Sequence, residues 1–254
     1  MNMSLARLSI VGAGPGDPEL ITLKAIKALE SADVVLYDAL ANEALLDHAP
    51  ESSLKIFVGK RAGKHSYKQE EINSMIVNWA KTGSHVVRLK GGDPYVFGRG
   101  HEELEYAEKH GIETTYIPGI SSAMAVPGLA GVPLTKRGVN ESFWVVTGTL
   151  KDHGTANDLY LAAQSSATVI ILMGMKKLTE IVKLFAEYRG SDEPICLIQN
   201  GSKAEERFLS GDLKSILPLQ ETARLNAPAV IVIGKVVEER KLKEKLVQEM
   251  RLVE

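Results

Sequence analysis

The chain is poor in cysteine and in aromatic residues. Cys196 is its one cysteine among 254 residues, and aromatic side chains make up only 6% of the composition. A single thiol cannot form an intrachain disulfide, which is the pattern of proteins in reducing compartments, so we expect a cytoplasmic protein. Cys196 lies in the apolar run 194–198, which predicts a buried structural thiol and not a nucleophile.

A charge excess and a long hydrophobic run are also missing. Basic residues number 30 and acidic residues 32, for a formal net charge of -2, which gives no support for a nucleic-acid or membrane-surface partner. The apolar stretches at 167–173 and 229–233 are far shorter than the roughly 20 residues of a membrane-spanning helix. The histidines are scattered without a ligand pair at helical spacing, so we expect no metal site.

Short β-rich apolar runs alternate with helix-like segments, which predicts an α/β fold whose first half is a mostly parallel sheet. From Pro118 onward the sequence becomes rich in turn-forming residues. We therefore expect two α/β domains, 1–117 and 118–240, and a charged, amphipathic helix over 241–254. The expected strands are 8–11, 34–37, 55–58, 85–89, 114–117, 143–147, 168–173, 195–199 and 230–233, and the expected helices are 19–31, 69–81 and 102–110.

A first glycine loop, GAGPGD at residues 12–17, follows the first expected strand. A dinucleotide fingerprint here would hold a pyrophosphate at a helix N-terminus, with Asp38 placed to bind a ribose. The third glycine of that fingerprint is replaced by Asp17, which fits a helix N-cap and would repel a phosphate. Pro15 also removes a backbone donor. Dinucleotide binding and a purely structural turn both stay open as alternatives.

A second glycine loop follows the expected strand 85–89. Gly91 and Gly92 would let the backbone approach a ligand closely. Asp93 would bind a ribose hydroxyl or an amino group of that ligand, or else act as an internal acceptor in the turn. Two such loops at the strand ends of one sheet predict a ligand crevice.

Several short motifs occur in a fixed order along the chain, and as an ordered set they resemble the tetrapyrrole methylase family. The resemblance extends to about Val237, and its specificity comes from the order and not from any single motif. The motifs are GAGPGDP at 12–18, LYD at 36–38, GKRAG at 59–63, the block 88–103, IPGI at 117–120, AGVPLTKR at 130–137, VTG at 146–148, MG at 173–174 and NG at 200–201.

This resemblance implies two α/β domains of the tetrapyrrole methylase type, with the active site in the cleft between them. It implies S-adenosylmethionine as the cofactor, S-adenosylhomocysteine as its product, and no metal. Core packing of Met173 and plain turn roles for the two serines stay open as alternatives. The cofactor-binding residues that it implies are Pro15, Gly91, Gly92, Asp93, Val96, Ser121, Ser122, Met173 and Gly201, with Phe97 and Ala229 as weaker candidates.

The resemblance also implies catalytic and substrate-binding roles. Asp38 matches the proton acceptor and Lys60 the proton donor, while Arg99 would assist deprotonation. Arg99, Glu102 and Arg137 match substrate-contacting positions. The alternatives are a turn carboxylate for Asp38, a surface lysine for Lys60, and arginines that only pair with local carboxylates.

The reaction that the resemblance implies is methylation of carbons 2 and 7 of uroporphyrinogen III, giving precorrin-2 through precorrin-1. It further implies a homodimer, with no nucleic-acid or membrane partner. Lys136 stands where the family usually has His, His101 where Gly is usual, and Ser121 where Thr is common. Methylation of another precorrin or of a diphthamide intermediate, and a catalytically silent ligand-binding protein, stay open as alternatives.

Overall fold

The structure is a computed structural model that describes residues 6–59, 67–148 and 157–240. The chain divides into two units, Met1–Ser122 and Ala123–Glu254, and each contains a five-stranded sheet. The predicted boundary between residues 117 and 118 stays a prediction, and the predicted helix over 241–254 lies outside the described residues.

The first unit is built on a parallel sheet with the strand order β3-β2-β4-β1-β5. Parallel sheets are covered on both faces, and every residue of β4 is accordingly buried. Its strands are β1 (Arg7–Gly12), β2 (Val34–Tyr37), β3 (Leu54–Phe57), β4 (His85–Lys90) and β5 (Glu113–Ile117), and its helices are α1 (Leu23–Glu30), α2 (Gln69–Lys81) and α3 (Gly100–Glu108), with 3-10 helices at Pro18–Leu20 and Glu43–His48.

Helices cover the two faces of this sheet through apolar residues at helical spacing. On one face, Ile72 and Ile76 of α2 pack in a cluster with Ile10 of β1. On the other, Ala25 and Leu29 of α1 belong to a cluster with Val11, Val87 and Leu89. Side chains that alternate along β1 and β4 therefore serve two separate cores.

The expected strands and the helix α2 of this unit are confirmed to within a residue at each end. The expected helix over 19–31 is instead two helices, because two different residues act as N-caps in this stretch. Asp17 accepts from Glu19 N–H at 2.9 Å and begins the 3-10 turn. Thr22 accepts from Ala25 N–H at 3.2 Å and begins α1. The N-cap interpretation of Asp17 is thereby confirmed.

The second unit has a mixed sheet with the order β6-β7-β10-β8-β9. β6 and β7 run parallel, whereas β10 is antiparallel to both β7 and β8, and β9 is antiparallel to β8. Its elements are α4 (Ser122–Leu129), β6 (Phe143–Thr147), α5 (Asn157–Gln164), β7 (Thr168–Leu172), α6 (Leu178–Arg189), β8 (Pro194–Gln199), β9 (Arg207–Asp212), α7 (Ile216–Ala223) and β10 (Ala229–Ile233).

Two elements of this unit differ from what the sequence predicts. Helix α4 contains Pro127 in a stretch whose prolines and glycines predict turns; the helix forms because Ala123 and Val126 are buried with Ile170 and Ile198 of the sheet. Strand β9 was not expected, since its half-exposed sequence RFLSGD lacks a clear apolar pattern. Within the described ranges, no helix combines the length and the apolar character needed to cross a bilayer.

Candidate functional site

Four loops follow parallel strands of the first unit and lie at the carboxyl edge of its sheet. The loop after β1 contains Pro15, and Asp38 follows β2. The loop after β4 contains residues 91–93, while Ser121 and Ser122 follow β5. Ligands bind outside the carboxyl ends of parallel strands, so the structure brings these predicted residues to the end of the sheet where a site is expected.

The loops after β1 and β4 are tied together through glycines. Gly14 N–H donates to Gly92 O at 3.2 Å, and Gly92 N–H donates to Gly14 O at 2.7 Å. A Cβ added at Gly91 would lie 2.4 Å from Leu40 Cβ, so glycine is required there by protein packing. At Gly92, where φ is +66°, an added Cβ would instead meet only Ser122 N, at 3.9 Å. The open backbone face is therefore that of Gly92.

Asp93 is buried, and both of its carboxylate oxygens accept hydrogen bonds from the protein. Oδ1 accepts from Tyr95 N–H at 2.8 Å. Oδ2 accepts from the Tyr116 hydroxyl at 2.7 Å and from Gly119 N–H at 3.1 Å. Burial and the Asp93 carboxylate both raise the pKa of Tyr116. Asp93 thus joins the loop after β4 to the end of β5, and its role as a cofactor contact stays a prediction.

Exposed side chains fill the rest of the loop between β4 and α3. Val96 and Phe97 are exposed, and both Phe97 and Arg99 have left-handed backbones, with φ of 53° and 59°. Such strain at non-glycine residues is typical of functional loops. The Arg99 guanidinium binds Glu102 through two bonds, Nε–Oε1 at 2.9 Å and Nη2–Oε2 at 2.5 Å, and this contact raises the pKa of Arg99.

Asp38 presents a carboxylate that the backbone holds from one side. Its Oδ1 accepts from the N–H groups of Leu40 at 3.0 Å, Ala41 at 3.2 Å and Gly91 at 3.4 Å. Its Oδ2 lies 3.7 Å from Nη2 of Arg88, and its side chain is 22% exposed. A partly exposed carboxylate with one oxygen fixed by backbone donors has the arrangement that a general base needs.

Behind Asp38 lies a buried charged group that the sequence interpretation missed. Arg88, Lys90 and Glu103 are 3%, 5% and 1% exposed. Oε1 of Glu103 is 3.3 Å from Arg88 Nε, 3.0 Å from Lys90 Nζ and 3.0 Å from Gln69 Nε2. The signal was present in the sequence. Two basic residues at alternate positions of a central strand point to one face, where burial requires an anionic partner.

The candidates in the second unit follow strands β7 and β8. Met173 comes directly after β7 and is 54% exposed with φ of 56°, so the core-packing alternative for it is wrong. Gly201 comes after β8 and is buried between Asn200 and Ser202, which both have left-handed backbones. An added Cβ at Gly201 would lie 2.2 Å from Val126 Cγ1, so helix α4 requires glycine there.

The remaining candidate residues lie in different surroundings. Arg137 is exposed in the turn closed by the bridge between Lys136 and Asn140. Lys136, the departure from the usual histidine, pairs with Glu239 at 2.6 Å. Ala229, a weaker cofactor candidate, is the first residue of β10. Lys60, the predicted proton donor, lies outside the described residues.

The remaining prediction from residues alone concerns Cys196. Its side chain is fully buried in β8, and burial raises the pKa of the thiol to about 12. The interpretation as a structural thiol is confirmed. Among the described residues there is no group of His, Cys, Asp and Glu that could hold a metal ion.

The chain belongs to the tetrapyrrole (corrin/porphyrin) methylases, whose family model matches residues 7–217. It is 46% identical over 233 residues to the uroporphyrinogen-III C-methyltransferase of Methanocaldococcus jannaschii, covering 91% of this chain and 96% of that one. It is 44% identical over 242 residues to the S-adenosyl-L-methionine-dependent uroporphyrinogen III methyltransferase of Methanosarcina barkeri, covering 93% and 94%.

A solved structure gives the same result. The uroporphyrin-III C-methyl transferase of Thermus thermophilus, complexed with S-adenyl homocysteine, matches with a TM-score of 0.79 and 38% identity over 91% of this chain and 99% of that chain. The predicted fold class, two α/β domains of the tetrapyrrole methylase type, is confirmed. The chain also matches the sirohaem synthase of Actinobacillus pleuropneumoniae at 44% identity, but it spans only 49% of that protein's length.

Proposed function

We propose that this chain transfers methyl groups from S-adenosylmethionine to carbons 2 and 7 of uroporphyrinogen III, forming precorrin-2 through precorrin-1. The observation that carries the proposal is near-complete coverage at 46% and 44% identity with two relatives named for uroporphyrinogen III methylation. The confirmed family and fold agree with it. A cytoplasmic location and a homodimer belong to the same proposal.

The loops at the edge of the first sheet fit the cofactor. The open backbone face of Gly92 beside Ser122 N–H leaves room for a ligand group, and Pro15, Gly91, Val96 and Ser121 lie in the same loops. From the second unit, the exposed Met173 and the loop of Gly201 would contribute. When bound, S-adenosylmethionine supplies a methyl group on a sulfonium, which the electron-rich ring carbon of the substrate attacks.

The protein's own residues would orient the substrate and remove a proton. Holding the ring carbon in line with the methyl group is an orientation effect. After the methyl group is added, the ring system of the substrate must lose a proton. Asp38 would accept this proton at Oδ2, the oxygen that is not fixed by backbone donors. Arg99 and Arg137 would bind carboxylates of the substrate; for Arg99 this requires exchange from its exposed pair with Glu102.

Counting methyl groups on the product tests this function. The purified chain is incubated without oxygen with uroporphyrinogen III and methyl-13C S-adenosylmethionine, and the product is analysed by mass spectrometry. We expect two labelled methyl groups at completion and one in an early intermediate. NADH, tested by calorimetry, should not bind, because Asp17 caps a helix where a dinucleotide phosphate would sit. NADH binding with no methyl transfer would overturn the proposal in favour of an oxidoreductase.

A further inference from the structure

Asp38 Oδ2 faces a guanidinium whose position the core determines. Arg88 lies on the central strand β4 and is 3% exposed. Its Nη1 donates to the backbone oxygens of Leu89 at 3.0 Å and Leu36 at 3.4 Å, and its Nε contacts Glu103 Oε1 at 3.3 Å. These contacts occupy one side of the guanidinium and leave Nη2 directed at Asp38, 3.7 Å away.

Glu103 is itself fixed on a single oxygen. Gln69, Arg88 and Lys90 all contact its Oε1, while its Oε2 is buried without a hydrogen bond from any described residue. Burial alone would raise the pKa of Glu103, but Arg88 and Lys90 outweigh it and lower that pKa below its usual value. Glu103 is therefore an ionised anchor for both cations.

The charges of this group balance only when Asp38 is included. Arg88 and Lys90 are cationic and Glu103 is anionic, which leaves one positive charge buried behind the carboxyl edge of the sheet. Buried charge without a partner is strongly unfavourable. Asp38, the remaining anion in contact with Arg88, compensates it.

We propose that Arg88 is a positioning residue for the reaction: held by Glu103 and by backbone oxygens, it fixes the Asp38 carboxylate as an oriented, charged proton acceptor. The backbone donors of Leu40, Ala41 and Gly91 hold Oδ1, and Arg88 determines where Oδ2 points. The inference rests on the proposed function through the role of Asp38. Lysine cannot replace Arg88, since a single ammonium cannot contact Glu103 and Asp38 with the geometry of a guanidinium.

Kinetics on single and double variants test the inference. In Arg88→Met and Arg88→Lys we expect kcat with uroporphyrinogen III to fall by up to about 100-fold, the size of effect that misplacement of a reacting group produces. The KM and the affinity for S-adenosylmethionine should change less than about twofold, because Arg88 is only 3% exposed. Adding Arg88→Met to Asp38→Asn should cost little further turnover, because Arg88 acts through Asp38. Fully additive losses would overturn the inference.

The matched control is Arg189→Met. Arg189 is another shielded arginine, paired with Glu193 at 3.2 Å and bonded to backbone oxygens of residues 162, 163 and 167, and no catalytic role is proposed for it. It should lower the melting temperature as Arg88→Met does, while kcat stays at the wild-type value. An equal loss of kcat in both variants would show that instability, and not positioning, causes the effect.

A spectroscopic measurement decides the question independently of turnover. The amide signals of Leu40, Ala41 and Gly91 report on the Asp38 carboxylate that they contact, so they should shift in Arg88→Met and Arg88→Lys and stay unchanged in Arg189→Met. If the wild type fails to methylate uroporphyrinogen III, the proposed function fails, while shifted amides still support positioning by Arg88. Unshifted amides in a folded Arg88→Met protein would overturn it whatever the activity.

Discussion

At the scale of single residues, the site depends on carboxylates whose oxygens have different neighbours. Asp93 uses both oxygens to join two loops, whereas Asp38 has one oxygen fixed by backbone donors and the other near Arg88. The sequence placed both residues after strands of one sheet, because strand ends and glycines are visible in it. It could not show which oxygens are already occupied, since Tyr116 and Gly119 lie on a strand and loop far along the chain.

Asp93 gives a test at this scale. In Asp93→Asn only one acceptor oxygen remains, so the side chain cannot accept from Tyr95 N–H and also from Tyr116 and Gly119. We therefore expect a loss of about 1–3 kcal/mol of unfolding free energy and weaker binding of S-adenosylmethionine. Chemical denaturation and calorimetry measure the two effects. Tyr116→Phe removes one of the same hydrogen bonds and should weaken both in the same direction, but less. An unchanged dissociation constant in folded Asp93→Asn would remove Asp93 from the cofactor site.

At the scale of elements, strands were predictable and their pairing was not. The apolar runs that form β2 and β6 are visible in the sequence and match the structure to the residue. The antiparallel placement of β10 between β7 and β8 is set by contacts between distant segments, which local pattern does not encode. The role of the charged residues within β4 could not be predicted from local pattern either, because it depends on their pairing with a carboxylate of α3.

The loop between β8 and β9 gives a test at the scale of elements. Gly201→Ala would place a methyl group 2.2 Å from Val126 Cγ1 of α4, so we expect a loss of about 1–3 kcal/mol of unfolding free energy from overpacking. Gly128→Ala is the matched control. Apart from its chain neighbours and its own helix backbone, no atom of the described residues lies within 4 Å of its added Cβ, and alanine in a helix should stabilise by up to about 1 kcal/mol. Equal melting temperatures for Gly201→Ala and the wild type would contradict the proposed contact.

At the scale of the whole molecule, neutrality conceals an uneven distribution of charge. The formal net charge is only -2, yet charged side chains of opposite sign are buried together under the edge where the cofactor is proposed to bind. Composition therefore gave no support for a nucleic-acid or membrane-surface partner and did not reveal the internal charges. Such a buried group links the proposed chemistry to the stability of the fold, because the same residues support both.

Glu103 makes that link measurable through pH. Its pKa is lowered in the folded protein: burial acts to raise it, but Arg88 and Lys90 prevail. A carboxyl whose folded pKa lies below its unfolded value near 4.5 contributes stability above that value and loses it as pH falls through the folded pKa. Burial also lowers the pKa of its partner Lys90 from 10.5.

We therefore expect the unfolding free energy of the wild type to fall as pH decreases below about 4.5. The slope of this fall measures the number of protons taken up on unfolding, and in Glu103→Gln it should be smaller by as much as one proton. At neutral pH the same variant should lose roughly 3–5 kcal/mol, because Arg88 and Lys90 lose their shared anion. Glu105→Gln, an exposed change on the same helix, should keep both the wild-type slope and nearly all of the stability. If Glu103→Gln does not fold, Lys90→Met/Glu103→Gln restores the charge balance and can be titrated instead. If a variant lacking Glu103 lost stability at low pH as steeply as the wild type does, other carboxylates would govern acid unfolding.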